Sequence, residues 1–486
     1  MNAADRPPPS RRTKIVVTLG PACDSAAGID ELLRAGVDVI RLNLSHGLMA
    51  DHLDRLQRIR ASAERVGRHV AVLADLPGPK VRSGIFPEGG SFLVEGTSLR
   101  LVVGTHDCSA TEIAVDYPTL LDDVRVGDTV ILGDGAITLA IEALAVDAAI
   151  ASVVTGGRAQ GRPGVHIPAE RLRLHAPTAQ DIEMLQVMAA AGVDFAAVSF
   201  VRSADDVAVA KAAAGKNGPK LIAKIETAPA IADLERILQV ADAVMVARGD
   251  LGIECPLEDV PHLQKRIIRS CVEAGVPVIT ATQMLESMIT APAPTRAEVS
   301  DVANAVFDGT DAVMLSAETA IGADPVLVVR TMARIAARAE AEAEYRKWGD
   351  RLGREQRKGV VSDPARITQA ITHAAFQAAA DVGVQAILCC TRSGTTAKAM
   401  ARFRPDAQLI GLSPDASTAR ILALSWGVIP VLVDTYRSTD EMVWCAVEAA
   451  VREGYVKKDD LVAVLAGAPD RGQGGATDVL RVVRIN

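Results

Sequence analysis

KLIAKIE at 220–226 and AVMVARGD at 243–250 decide the fold. Each opens with a short apolar run. The first ends in Lys224 and Glu226, the second in Arg248 and Asp250. Continuous apolar runs of this length suit parallel strands buried on both faces. Six more runs share the form: KIVVTLG (14–20), VDVIRLNLS (37–45), HVAVLADLPG (69–78), DFAAVSFV (194–201), VPVITATQ (276–283) and AVMLSAET (312–319). Stretches with helical spacing, such as DHLDRLQRIRASAERVG and EDVPHLQKRIIRSCVEAG, separate most of them. Alternating strand and helix predicts a parallel sheet, and eight such strands predict a closed (β/α)8 barrel of the α/β class.

Polar residues finish the runs: Asn43 and Ser45, Asp75, Ser199, Lys224 and Glu226, Arg248 and Asp250, Thr282 and Gln283, Glu318 and Thr319. In a barrel these ends surround one mouth, where barrel chemistry sits. A plain surface-loop reading suffices for one strand, not for seven with the same polarity.

The rhythm breaks between Asp75 and Asp194. Gly turns (EGG, VGD, LGDG, GGRAQGRPG) and short alternating runs such as SLRLVV predict a small β domain inserted after the third strand. Its expected extent is 77–174, with Pro77, Gly78 and Pro79 at the exit, and over the mouth it would act as a lid that excludes water. The barrel then comprises 13–76 and 175–345. RTMARIAARAEAEAEYRKW (330–348) reads as an amphipathic helix leading out, and 351–363 as a linker. Beyond it, VQAILCCT, AQLIGLSP, VIPVLV, DLVAVLAG and DVLRVVRI predict an open α/β domain over 346–486. Its first strand runs into Thr391, Arg392, Ser393, Gly394, Thr395 and Thr396 and then a helix. Hydroxyls and free N–H groups there suit an anion; a simple helix cap is the plain alternative.

With 52 basic and 60 acidic residues, no global positive field exists for nucleic acid, and aromatic residues (3%) are too few for base stacking. No apolar run is long enough to span a membrane. MNAADRPPPSRR, residues 1–12, lacks the apolar stretch of a secretory signal and reads as a solvated tail. Seven cysteines without a C-x-x-C pair read as reduced thiols in a cytoplasmic protein.

Lys224 and Glu226 stand at i and i+2 on one strand and point the same way. Glu226 and Asp250, with no His or Cys nearby, suit a hard cation such as Mg2+. Arg41 and Lys224 suit an anionic substrate. Together they point to phosphoryl transfer or to enolate chemistry on a carboxylate; salt bridges at the barrel rim are the plain alternative.

IRLNLSHG (40–47), AKIE (223–226), MVARGDLGIE (245–254), ITATQMLESM (279–288), PTRAEVSDVANAVFDGTDAVMLSAETA (294–320) and ALSWGVIPVLV (423–433) make the chain resemble the pyruvate kinase family over essentially its whole length. The resemblance implies phosphoryl transfer from phosphoenolpyruvate to ADP, dependent on Mg2+ or Mn2+, in a homotetramer. Lys224 would stand beside the phosphoryl group, and Glu226 and Asp250 would hold the divalent ion. The Gly249 backbone and the Thr282 hydroxyl would orient substrate, with Thr282 near the route that protonates enolpyruvate. Arg41 and Arg82 would face phosphates, with His46 and Arg162 on the nucleotide side. A second divalent ion would arrive with ADP. The Thr391–Thr396 loop would take an effector phosphate, with Gly472, Gly474 and Gly475 opposing it.

The chain departs from the family's usual pattern at the end of the third strand. Asn43, Ser45 and Asp75 match the family's potassium ligands, but Leu76 replaces a Thr and Lys80 a Glu. An ammonium on a flexible stem can supply the charge of a monovalent cation. The family includes potassium-independent members with this Lys, so Lys80 is expected to take potassium's role. In the inserted domain, Pro163 stands where a Lys is usual, with Arg162 one place earlier; Ala317 replaces a Gly.

Overall fold

A computed structural model describes residues 11–133, 135, 137–168, 172–356, 363–435, 438–467 and 475–486. All eight expected barrel strands form: β1 (Lys14–Thr18), β2 (Val39–Asn43), β3 (Ala71–Asp75), β4 (Phe195–Val198), β5 (Lys220–Ile225), β6 (Ala243–Ala247), β7 (Val278–Ala281) and β8 (Ala312–Leu315). They close into one parallel barrel in chain order, β8 pairing with β1. Val16, Leu73, Phe195, Ile222, Met245 and Ile279 fill the interior, and the alternate residues, such as Ile15, Ile40 and Val244, face the surrounding helices. Strands buried on both sides explain the unbroken apolar runs.

At the bottom of the barrel, one residue before each even-numbered strand, stand Asp38, Asp194, Asp242 and Asp311. Each carboxylate accepts a backbone N–H of the preceding odd strand: Ile15 (2.9 Å), Val72 (2.8 Å), Leu221 (3.0 Å) and Val278 (3.1 Å). Each aspartate's own N–H returns a bond to the carbonyl of that same residue. The carbonyls of Asp38, Asp194 and Asp311 accept the N–H of Ala71, Lys220 and Lys14. The fourth such position is Pro277, which has no N–H to give.

Six inserted strands between Ser98 and His166 form one sheet, and Ser91–Leu93 pairs with Gly157–Ala159. Leu101, Ile113 and Leu139 lie in their separate core. At the exit Gly78 adopts φ 71°, and a side chain there would stand 2.8 Å from Ser199 Cβ. The C-terminal unit carries β9 (Ala386–Cys390), β10 (Gln408–Ser413), β11 (Val428–Leu432), β12 (Leu461–Ala466) and β13 (Val479–Arg484), in the order β11-β10-β9-β12-β13 with only β13 antiparallel. It docks beneath the barrel. Ala423 and Leu424 join the interior layer, Arg404 bonds Asp311 (3.1 Å), Arg420 bonds Asp194 (2.7 Å), and Lys14 donates to the Val428 carbonyl (2.7 Å).

Two expectations are corrected. The helix expected over 330–348 is two helices, Pro325–Glu340 and Tyr345–Gln356. Tyr345 is buried and donates to the Val306 carbonyl, so the chain turns to pack it. Much of 351–363 is therefore helix rather than linker; 357–362 lie outside the described residues.

Candidate active site

A cavity of about 110 Å3 opens at the C-terminal end of the barrel, lined by residues of β2, β3 and β5 to β8 and by Ser199 just beyond β4. Lys224 is its hub. Its ammonium donates to Ser199 Oγ (2.7 Å) and lies 2.8 Å from Glu226 Oε1 and 3.4 Å from Asp75 Oδ1. Arg41 Nε bonds Asp75 Oδ2 at 2.7 Å, and its Nη1 donates to Thr18 Oγ1 at 2.9 Å. The i, i+2 spacing on β5 accounts for Lys224 and Glu226 meeting.

Burial acts to lower the Lys224 ammonium, but Asp75, Glu226 and Asp250 outweigh it and hold the group above the ordinary lysine value. For Glu226, burial dominates and Asp250 adds to it, raising the carboxyl to about 7 against the opposing pull of Lys224. Asp75 is lowered: burial opposes, and Lys224 and Arg41 prevail.

Glu226 is fully buried. Its Oε2 accepts the Phe200 N–H (2.7 Å), but its Oε1 accepts no hydrogen bond. Lys224 therefore serves that oxygen as a charge rather than as an aligned donor. A buried carboxylate oxygen without a donor, near a second carboxylate on Asp250, fits a hard divalent cation. Among the described residues no three His, Cys, Asp or Glu side chains form a complete metal cage. The remaining ligands of such an ion would come from water or substrate.

Asn43, Ser45, Asp75, Lys80, Lys224, Asp250 and Thr282 all line the cavity, together with Arg41 and Ser199. Lys80 Nζ donates to Ser45 Oγ at 3.3 Å. Gly249 N donates to Thr282 Oγ1 at 2.9 Å. Arg82 lines an adjoining cavity of about 180 Å3 between the inserted sheets and the barrel, which shares Lys80 and Asp250 with the first. His46 is exposed, and burial, Lys80, Arg82 and Arg41 lower its imidazole. Arg162 lines neither cavity: it bonds Asp116 (2.7 Å) and the Ser83 carbonyl (2.9 Å) inside the inserted domain.

Glu318, Thr319 and Arg248, strand-end residues expected at the mouth, turn away from it. Glu318 is buried against the N–H groups of Leu285 and Ser316, and Thr319 Oγ1 donates to the Thr18 carbonyl. Both brace loops around the site. In the C-terminal loop, Thr391 Oγ1 accepts the Gly394 N–H and Thr396 pairs with Thr477, which leaves Arg392, Ser393 and Thr395 exposed. Gly475 is exposed, whereas Gly472 and Gly474 lie outside the described residues.

Ser199 and Thr18 were not singled out as partners of the charged groups. Ser199 relays a bond from Lys224 to the Leu76 carbonyl (2.7 Å), and Thr18 steadies Arg41. A hydroxyl at a strand end signals nothing until its neighbours across the sheet are known.

A family model described as pyruvate kinase, barrel domain, matches residues 10–329; another, pyruvate kinase, alpha/beta domain, matches 369–483. The chain is 42% identical over 477 residues to a pyruvate kinase of Geobacillus stearothermophilus, covering 97% of this chain and 80% of that one. Identity is 38% over 477 residues with a pyruvate kinase of Clostridium acetobutylicum, covering 97% and 99% of the two chains. For one of Methylorubrum extorquens it is 41% over 475 residues, covering 97% of each. With both models matched in order on a closed barrel and a following α/β unit, the chain belongs to the pyruvate kinase family and is a phosphotransferase.

Proposed function

We propose that the chain transfers the phosphoryl group of phosphoenolpyruvate to ADP, giving pyruvate and ATP in glycolysis. The supporting observation is the convergence of the Lys224 ammonium, Arg41 and the carboxylates of Asp75 and Asp250 on one cavity, with Glu226 buried behind the lining and 2.8 Å from Lys224. Lys224 stays protonated and offsets negative charge on the phosphoryl group in flight. One such charge contact near 4 Å at an effective dielectric of 20 contributes about 4 kcal/mol, close to a thousandfold in rate. Arg41, fixed by Asp75 and Thr18, presents a second cation. Gly249 N–H and Thr282 Oγ1 lie together and orient the enolate end of the substrate. Glu226 and Asp250 would hold Mg2+ or Mn2+, which when bound supplies positive charge to the substrate's oxygens. Arg82 and His46 serve the nucleotide side.

Three finer readings accompany this one. Lys80, in reach of Ser45 and attracted by Asp250 and Asp75, takes the place of potassium, so the enzyme does not require that ion. The exposed Arg392, Ser393 and Thr395 receive the phosphate of an activating metabolite. The chain works as a cytoplasmic homotetramer: all seven cysteines are free thiols, and Phe307 and Trp444 expose large apolar surface suited to subunit contacts. No described helix is long and apolar enough to cross a membrane.

The test is ADP-dependent pyruvate formation from phosphoenolpyruvate with Mg2+, read through lactate dehydrogenase. Wild type should turn over, and Lys224→Met should lose about a thousandfold in kcat. A folded wild-type protein without turnover, or a Lys224→Met variant at full rate, would refute the assignment.

A further inference from the structure

Thr282 and Gln283 adopt φ of 70° and 53°, two consecutive residues other than glycine in the left-handed region. For a β-branched threonine this is a backbone outlier, and such a conformation persists only where its surroundings over-determine it. The over-determining group is Arg248. Its Nε donates to the Ala281 carbonyl at 3.2 Å, and its Nη2 donates to the carbonyls of Thr282 at 2.6 Å and Gln283 at 3.5 Å. Its Nη1 is anchored on Asp301 Oδ1 at 2.7 Å and Gln264 Oε1 at 3.3 Å. The guanidinium plane therefore spans three successive peptides on one edge and two fixed acceptors on another. The next residue, Gly249, donates its N–H to the Thr282 hydroxyl. Consecutive residues thus hold the carbonyl and the hydroxyl of Thr282.

We propose that Arg248 is the positioning residue that aims the Thr282 hydroxyl into the reaction cavity, with Asp301 fixing Arg248 from the neighbouring helix. Arg248 does not line that cavity and touches no reacting atom. Its work is to hold an unfavourable backbone turn in the one orientation that presents Oγ1 beside Gly249 N. Lysine cannot replace it, because an ammonium lacks the planar fork that reaches three carbonyls at once.

The inference rests on the role given to Thr282 above, and the experiment separates the two. Arg248→Lys, Thr282→Val and the double variant are compared by steady-state kinetics and thermal melting. Thr282→Val should lower kcat. Arg248→Lys should lower kcat by up to about a hundredfold, the scale of a misplacement near 1 Å, with KM for phosphoenolpyruvate changed less than about threefold. In the Thr282→Val background the Arg248→Lys loss should shrink to about twofold or less. If Thr282→Val keeps full kcat, the role of Thr282 fails and the inference falls with it. If Thr282→Val is impaired while Arg248→Lys is not, or if the two losses simply multiply, the inference alone is overturned. Should Arg248→Lys not fold, Asp301→Asn gives the same reading: a kcat loss that disappears in the Thr282→Val background supports the inference, and one that persists there contradicts it.

Discussion

Lys80 carries a positive charge where the family's usual pattern has a glutamate. Its ammonium shares one cavity with Asn43, Ser45 and Asp75. Burial and the neighbouring Lys224 lower its pKa, while Asp250 and Asp75 work the other way. Reversing this charge should restore the need for a monovalent cation. Wild-type turnover should be flat across potassium concentration at constant ionic strength, balanced with tetramethylammonium. Lys80→Glu should rise by about tenfold or more, since it removes the ammonium and adds a carboxylate beside Asn43, Ser45 and Asp75, which leaves the place of a monovalent cation to be filled. A steep potassium response in wild type, or none in the variant, contradicts the substitution of ammonium for metal. Lys224 and Glu226 were legible in the sequence because their types and spacing are unusual for a strand end, and Lys80 only because it stands where the resembled family usually has a glutamate. Arg248 was legible only as a polar ending. The partners through which it grips the 281–283 turn are backbone carbonyls, which carry no residue identity, so nothing in the sequence marked the grip.

At the scale of elements, the eight strands could be read in advance because burial on both faces leaves a continuous apolar signature. The aspartates beneath them could not. Gly-Val-Asp-Val, Gly-Val-Asp-Phe, Val-Ala-Asp-Ala and Gly-Thr-Asp-Ala share the carboxylate, three of them two places after a glycine, but the partner N–H lies on another strand and nothing local names it. The four sites differ in what else they hold. Asp194 is almost fully buried between Arg60 and Arg420, both at 2.7 Å. Asp242 meets only the half-exposed Lys220 and Lys211, at 3.5 and 3.8 Å. Asp194→Ala strands two guanidinium groups as well as the Val72 N–H, so it should cost about 3–5 kcal/mol. Asp242→Ala loses chiefly the bond from Leu221 N and should cost about 1–2 kcal/mol. Urea unfolding of both variants measures the difference. Equal losses would show that the link from Asp194 to the C-terminal unit adds nothing to stability.

Across the whole molecule, the exposed loop at 392–395 is wired to the barrel. The Thr418 hydroxyl donates to the Arg392 carbonyl (2.7 Å), and two residues further along the same helix Arg420 reaches Asp194 at the base of β4. These contacts join the loop to that strand, whose far end leads to Ser199 and Lys224, so an anion bound at the loop would act on residues tied to the barrel. Phosphorylated sugars and nucleoside monophosphates, screened at subsaturating phosphoenolpyruvate, should include an activator of wild type. Thr395→Glu should abolish that activation by charge repulsion while leaving unstimulated turnover intact. Activation that survives the substitution would place the effector elsewhere. The domain order was readable from alternating patterns, but the docking of 423–424 into the barrel floor was not, because a short apolar pair looks the same whether it plugs a neighbour or packs at home.

Val72 and Asp194 are 122 positions apart in the chain, with the inserted sheets between them, yet they are bonded directly. The clasp sits at the opposite end of the strands from the insertion's two stems. The hoop of strands is therefore fastened below the insertion, and the staves that hold the reacting charges are joined there without the help of either stem.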